Sequence, residues 1–293
     1  MAKKKHHYVP EFYLARFSCE GVKGGKIFSY SKKRHSLLET NTHDVCEKNK
    51  FYSILDSTSF DELALEDNFF ADTVENYFSQ ALESIVGVVS KTKSEGAECG
   101  KFKISDNTKL TISLMLIIQF YRTPRFRKLY AGKNVILKGI SKIDHKYKEV
   151  VVKDPVLVHA YNTFLNMSKL QELSNYLLNN KWILKYFDKD LLLTSDNPVV
   201  WYPEIDDETQ RITVSNINQS RCFLFYPITS NIVLEIYDKD LPLHDDFNNL
   251  ILKCEEEYAK VLNYFSCINA DDIILLQTRD IDSYFPEIRI KVV

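Results

Sequence analysis

The sequence predicts an α+β fold in which a helical middle packs on a mainly antiparallel sheet formed by N-terminal and C-terminal strands. Three observations carry that reading. Strand-like alternation appears early, at residues 26–30; apolar residues at helical spacing dominate between 59 and 180; from 182 onward short β-rich runs are separated by turn residues. Segregated elements of this kind suit α+β, whereas regular alternation of strand and helix would suit a parallel βαβ sheet. No linker-like composition divides the chain, so one domain over residues 1–293 is expected.

Taken in order, His6-His7-Tyr8-Val9-Pro10 is a short extended run before a helix over 12–17, which Pro10 can open because its fixed φ suits a helix start. Tyr8, Val9, Phe12, Tyr13, Leu14 and Phe17 are too apolar to leave in water, so this end is expected to dock on the protein body. A glycine-rich turn at 21–25, a strand at 26–30, a polar irregular stretch over 31–49 and a strand at 51–55 follow. Ser59 and Glu62 match the S-x-x-E capping box. Phe70, Val74, Tyr77, Phe78, Ala81, Leu82, Ile85 and Val89 then mark one buried helical face. Residues 91–100 read as a polar surface loop.

A second helix, capped at Ser105-Asp106, runs to 121 and is apolar nearly all round, as an enclosed helix would be. Pro124 ends or kinks it. Residues 126–148 are expected to continue as helix, and Asp154-Pro155 to open another reaching about Asn180. Segments 182–187 and 191–194 flank Asp188-Lys189-Asp190 as a hairpin, 198–202 and 211–214 are strands, and 222–226 with 232–237 form a hairpin around Thr229-Ser230-Asn231. A helix over 246–265 and a strand over 273–277 close the chain.

Hydrophobic residues at 45% and charged residues at 27% support a real core. A net charge of -2 excludes the global basic field of a duplex-coating protein, leaving local basic groups at Lys3, Lys4 and Lys5 and at Arg122, Arg125, Arg127 and Lys128. The six cysteines include no C-x-x-C pair, which excludes a zinc ribbon or redox motif and fits reduced, mostly buried thiols in a cytoplasmic protein. No apolar segment follows the basic start, and the most hydrophobic run, 110–121, falls short of the roughly 20 residues a membrane span needs, so no membrane partner is expected. No P-loop, G-x-G-x-x-G, H-E-x-x-H or G-x-S-x-G motif is present, which removes the chemistries those motifs carry.

Three segments together resemble a family. The opening HHYVPEFYLARF, the Arg122-Thr123-Pro124-Arg125 element after the apolar helix, and Thr194-Ser195-Asp196-Asn197-Pro198-Val199 are similar to the pattern of an uncharacterised, mainly bacterial family catalogued as domain of unknown function four-two-three-eight. The resemblance runs in motif order over the whole chain. It implies a shared site and no particular reaction.

Those motifs supply the candidate site. His6 and His7 are the candidate catalytic residues with Asp196, because an imidazole near neutral pH can act as base, shuttle or ligand. On an extended backbone the two histidines point to opposite faces, so one at most enters a given pocket. Arg122 and Arg125 are candidate anion-binding residues, since two guanidinium groups on one face suit phosphate or carboxylate. Asn197 and Tyr13 are grouped with them as substrate-binding. The plain alternatives are a hydrogen-bonded core histidine, an internal ion pair from Arg122 to Glu66 or Asp196, and a structural turn at Ser195-Asp196. The His-His-x-x-Pro start also resembles the first element of HNH-type nucleases, whose later Asn and His have counterparts here only in Asn41 and His43, in a polar stretch without a helix signal.

Two functions follow. One is a cytoplasmic, nuclease-like hydrolase acting on a phosphodiester or other anionic substrate, with a small anionic ligand or nucleic acid as partner and a divalent metal as the cofactor that chemistry would suit. The other is a non-catalytic module whose motifs bind an anion or staple the N-terminus to the core. Histidines placed just before a helix N-terminus favour an anion over a bare metal.

Overall fold

The computed structural model describes residues 5–49, 51, 75–128, 135–140, 147–152, 167–201, 204–205, 212–213, 223–240 and 248–284. The chain opens with strand β1 (Lys5–His7). Pro10, extended at φ -60° and ψ 139°, then precedes helix α1 (Glu11–Leu14), which tightens into a 3-10 turn at Ala15–Phe17. Strands β2 (Lys26–Ser31) and β3 (Ser36–Asn41) form a hairpin, and β4 (Glu47–Asn49) returns to pair with β1, setting His7 opposite Glu47 and His6 opposite Lys48. Residues 31–49 are therefore not irregular. Exposed polar side chains on β3 and β4 hide the two-residue period there, and left-handed residues at His35 (φ 49°) and Cys46 (φ 53°) turn the chain.

Helix α2 (Glu75–Ser94) buries Phe78, Ala81, Leu82, Ile85 and Val89 of the face its spacing predicts, but Tyr77, next to Phe78 and so turned about 100° from it around the helix, is 63% exposed. The helix runs past the expected loop start to Ser94. Gly96 (φ 69°) then turns the chain into strand β5 (Cys99–Lys101), so the loop expected over 91–100 is largely ordered structure. The strand expected beyond Phe51, the capping pair Ser59 and Glu62, and Phe70 and Val74 lie outside the described residues. Helix α3 (Asp106–Tyr121) starts where Ser105 Oγ accepts the Thr108 N–H at 3.1 Å and ends at Arg122. Helix α4 (Pro124–Lys128) is five residues long. The helix expected to continue through 148 is instead the hairpin of β6 (Val135–Ile140) and β7 (Tyr147–Val152), where Val135-Ile136 and Val150-Val151-Val152 favour extended backbone. Helix α5 (Met167–Leu178) falls inside the predicted helix, whose start at Asp154-Pro155 is outside the described residues.

The remaining elements are strands β8 (Lys181–Tyr186), β9 (Thr194–Ser195), β10 (Val200–Trp201), β11 (Glu204–Ile205), β12 (Ile212–Thr213), β13 (Phe223–Thr229), β14 (Ile232–Tyr237) and β15 (Leu250–Lys253), helix α6 (Glu256–Asn269) and strand β16 (Ile273–Leu276). They build a six-stranded sheet, β10-β13-β14-β8-β15-β5, antiparallel except between β15 and β8, and a four-stranded sheet, β3-β2-β16-β9, that joins N-terminal to C-terminal strands. The β13–β14 hairpin is as predicted. Two expectations change. Segment 191–194 does not fold back on β8, which lies between β14 and β15; the 188–190 turn carries the chain towards the second sheet, where β9 pairs with β16. The helix expected from 246 begins only at Glu256, because left-handed Asn249 (φ 59°) and the pairing of β15 with β8 keep 250–253 extended.

Alternation along the six-stranded sheet sorts its two faces. Leu224, Tyr226, Trp182, Leu184, Leu234 and Ile236 join α2, α3, α5 and the N-terminal segment in one cluster, while Phe225 and Val233 meet Ala259 and Leu262 of α6 on the other face. Each fully buried leucine or isoleucine contributes roughly 1.5–3 kcal/mol. The fold is α+β, with helices on a mainly antiparallel framework. Glu235 is fully buried on the α6 side, where Lys185 Nζ lies 2.7 Å from one oxygen and the Tyr258 hydroxyl donates to the other at 2.5 Å. Cys46 and Cys267 are buried and Cys254 is half-buried, but Cys19 and Cys99 are exposed, so the thiols are less buried than expected; all five are free. Among the described residues no helix is long and apolar enough to cross a membrane.

The N-terminal segment enters this core through Tyr13. Its ring stacks on Tyr226 at 4.9 Å, and its hydroxyl lies 2.9 Å from the Pro227 carbonyl, to which it donates, and 2.7 Å from Thr194 Oγ1. Tyr13→Phe leaves both partners buried without that bond and should cost about 1–3 kcal/mol in urea unfolding; an unchanged unfolding midpoint would contradict the docking.

Candidate functional site

The histidine motif is held from behind. Arg122, 1% exposed at the end of α3, donates through a terminal guanidinium nitrogen to the His7 carbonyl at 2.5 Å. One turn earlier Gln119 Nε2 donates to the Tyr8 carbonyl at 3.0 Å, and the Tyr8 N–H donates to the Cys46 carbonyl at 2.9 Å. Main-chain positions at 7 and 8 are thus tied to an enclosed helix and to the approach to β4. The alternation of β1 does the rest: His6 is buried at 1% exposure, and His7, on the other face, is only partly covered.

On the His7 face a second histidine is waiting. The His43 ring centroid lies 6.2 Å from that of His7, tilted by 58°. His43 Nδ1 is 2.9 Å from Glu11 Oε1, which also accepts the Gly24 N–H at 3.0 Å and lies 3.3 Å from Thr42 Oγ1. The turn that presents His43 is made by Asn41, whose Oδ1 accepts the N–H groups of His43 at 2.9 Å and Asp44 at 3.1 Å. Glu47 stands opposite His7 across the ribbon and pairs with Lys5. Burial lowers the His7 pKa, against the raising effect of Glu47 and Glu11. Burial pushes Glu11 up, but the hydrogen bond and charge of His43 and the Gly24 N–H outweigh it and hold the carboxyl below its ordinary value. His7 Nε2 is buried with no hydrogen-bond partner among the described residues. An open hollow of about 490 Å³ lies beside the turn at residues 20–25 and the end of β3; Gly24 and Asn41 help line it, but His7, Glu11 and His43 do not.

The third motif sits elsewhere. Asp196, 3% exposed, accepts the backbone N–H of Asp271 at 2.8 Å, Asp272 at 2.8 Å and Ile273 at 3.0 Å. Burial raises its pKa while those three bonds oppose the rise. Asn197 Nδ2 donates to the Asn269 carbonyl at 3.1 Å, and Asn269 Nδ2 returns bonds to the carbonyls of Asn197 at 2.7 Å and Val199 at 3.0 Å. Arg125 donates to the same Asn269 carbonyl at 2.5 Å, at the C-terminal end of α6.

Arg122 and His7 are therefore brought together, through the main chain. Arg125, Asp196 and Asn197 gather at the α6–β16 junction, Tyr13 lies in the core, and Arg122 and Arg125 reach different carbonyls instead of forming one clamp. Glu11 and His43 are the residues that the sequence did not single out as catalytic. Their only signal was the recurrence of Asn41 and His43 after a His-His start. Among the described residues no group of three or more His, Cys, Asp and Glu side chains is placed to hold a metal ion.

Residues 5–280 match the family described as a protein of unknown function, DUF4238. The chain belongs to the DUF4238 family. Membership spans all three motifs, from the histidine pair through the Arg122 helix end to the Asp196 turn, so the support and the histidine cluster fall inside the family's own extent. Neither a curated protein nor a solved structure matches the chain.

The lowered His7 pKa has a sign that can be tested. An unfolded histidine titrates near 6.5, so as pH falls through about 6.5 the unfolded state takes up the proton first and the native state loses stability. Above that pH the penalty is absent. The urea midpoint should drop between about pH 7.5 and 5.5, and drop less in His7→Gln; parallel profiles would contradict a His7 buried in its neutral form.

Proposed function

We propose that the protein is a hydrolase that cleaves a phosphodiester or similar anionic ester by acid–base chemistry at His43 and His7. One observation carries the reading: the Glu11 carboxylate sits on His43 Nδ1 at 2.9 Å while the His7 ring stands 6.2 Å away. A carboxylate on Nδ1 fixes the tautomer and rotation of the ring, leaving Nε2 to take a proton from water, and it stabilises the imidazolium that then forms. His7, which burial favours in its neutral form, offers its Nδ1–H to an oxygen of the substrate, since its Nε2 is buried. His43 is 69% exposed on its side chain, so a substrate can reach it. In this reading Arg122 positions His7 through its carbonyl, and Asp196, Asn197, Arg125 and Tyr13 hold the framework. His6 supports the ribbon from its buried face.

A second reading, a non-catalytic module whose motifs staple the N-terminus to the core, is favoured by the main-chain partners of Arg122, Gln119 and Asp196. Turnover separates the two. With bis(p-nitrophenyl) phosphate and a short single-stranded oligonucleotide as substrates, His43→Ala should lower kcat by about 10²–10⁴-fold, the usual worth of a general base, with Glu11→Gln lowering it less. Wild-type turnover that both variants retain, or no turnover of either substrate by the wild-type protein, would leave the staple reading in its place.

A further inference from the structure

The face of the β1–β4 ribbon opposite His7 carries a second cluster, made of Lys48 from β4 and the basic side chains of α4. Arg127 lies flat on Phe51, its guanidinium carbon 3.5 Å from the ring centroid, and donates to the Phe51 carbonyl at 2.5 Å. Lys48 Nζ stands 5.7 Å from the ring centroids of both Tyr8 and Phe51. Lys128 Nζ meets the two oxygens of Asp271 at 2.7 and 2.6 Å. The nearby carboxylates are already committed: Asp271 to Lys128, and buried Asp196 to three backbone N–H groups. Among the described residues the Lys48 ammonium has no ion-pair partner, and its side chain is exposed. Burial lowers its pKa, and Lys128 and Arg127 lower it further against Asp271 and Asp196, as expected of a cation crowded by other cations.

We propose that this shelf binds the phosphate group of a nucleotide or polynucleotide, with Lys48 as the unpaired cation and Lys128 turning from Asp271 to the phosphate, above a floor made by the buried Tyr8 and Phe51 rings. An incoming phosphate offsets the mutual repulsion of the cations, and the stacked guanidinium of Arg127 adds positive charge on a rigid base. The two rings, 5% and 6% exposed and 5.7 Å apart, hold Lys48 from below and offer no open face for a base to stack on. The basic run after α3 is thereby split in use: Arg122 and Arg125 support the main chain, while Arg127 and Lys128 turn to the shelf. The inference does not depend on turnover at His43, because it is read by binding alone.

Anisotropy of a fluorescein-labelled single-stranded 12-mer, and calorimetry with ADP, test it at about 50 mM salt on the wild type, Lys48→Gln, Lys128→Gln and, as a control, Lys23→Gln on the exposed turn before β2. Lys48→Gln and Lys128→Gln should each weaken binding several-fold and reduce the salt dependence of the oligonucleotide constant by about one charge, with Lys23→Gln unchanged. A 12-mer bound far more tightly than ADP assigns the shelf to a polynucleotide; comparable affinities assign it to a mononucleotide. Binding that neither shelf variant weakens, equal weakening by Lys23→Gln, or no binding of either probe would overturn the proposal.

Discussion

A single buried guanidinium sets the frame for everything around the N-terminus. A charge as large as that of Arg122 can be removed from water only if its donors are used, and one of them is used on the carbonyl of His7. The bond runs from the end of an enclosed helix to the strand that carries both histidines. It therefore fixes the distance between α3 and the β1–β4 ribbon, and with it the side of the ribbon on which each imidazole lies. Gln119 repeats the connection at Tyr8. The apolar residues of α1 supply the bulk of the docking; Arg122 and Gln119 supply its register.

Asp196 plays the matching part at the other end. A carboxylate that accepts three backbone N–H groups gains from bonds each stronger than a neutral pair, and here it closes the turn between α6 and β16. Tyr8 lies between the two supports. Burial and the charge of Asp196 push the Cys46 thiol well up, so it is inert packing and not a nucleophile. Polar residues spread across three distant motifs thus converge on main-chain atoms. What they leave exposed is the rim of the ribbon, with His7, His43 and Glu11 on one face and Lys48 on the other.

Legibility followed locality. Helix α3 was readable to the residue because Ser105 caps it and Pro124 follows its end, and the β13–β14 hairpin was readable because the Thr229-Ser230-Asn231 turn and its flanking strands are contiguous. Strands β4 and β15 were not readable, since partners distant in sequence make them strands and their own residues do not; β3 pairs with neighbouring β2, but its polar side chains hide the alternation. The candidate site divides in the same way. Arg122 could be expected to need a partner, but that the partner is the His7 carbonyl depends on how α3 meets β1. The Glu11–His43 contact depends on the β2–β3 hairpin bringing residue 43 back over α1, across 32 positions of sequence.

The claim that Arg122 holds the histidine ribbon in place is most directly tested by amide hydrogen exchange in Arg122→Met, which keeps an apolar stem and removes the guanidinium. The account predicts that amides over residues 6–8 and 47–49 exchange about tenfold faster or more, while those of β13 and β14 keep their wild-type protection. Wild-type protection across the ribbon in that variant would contradict it.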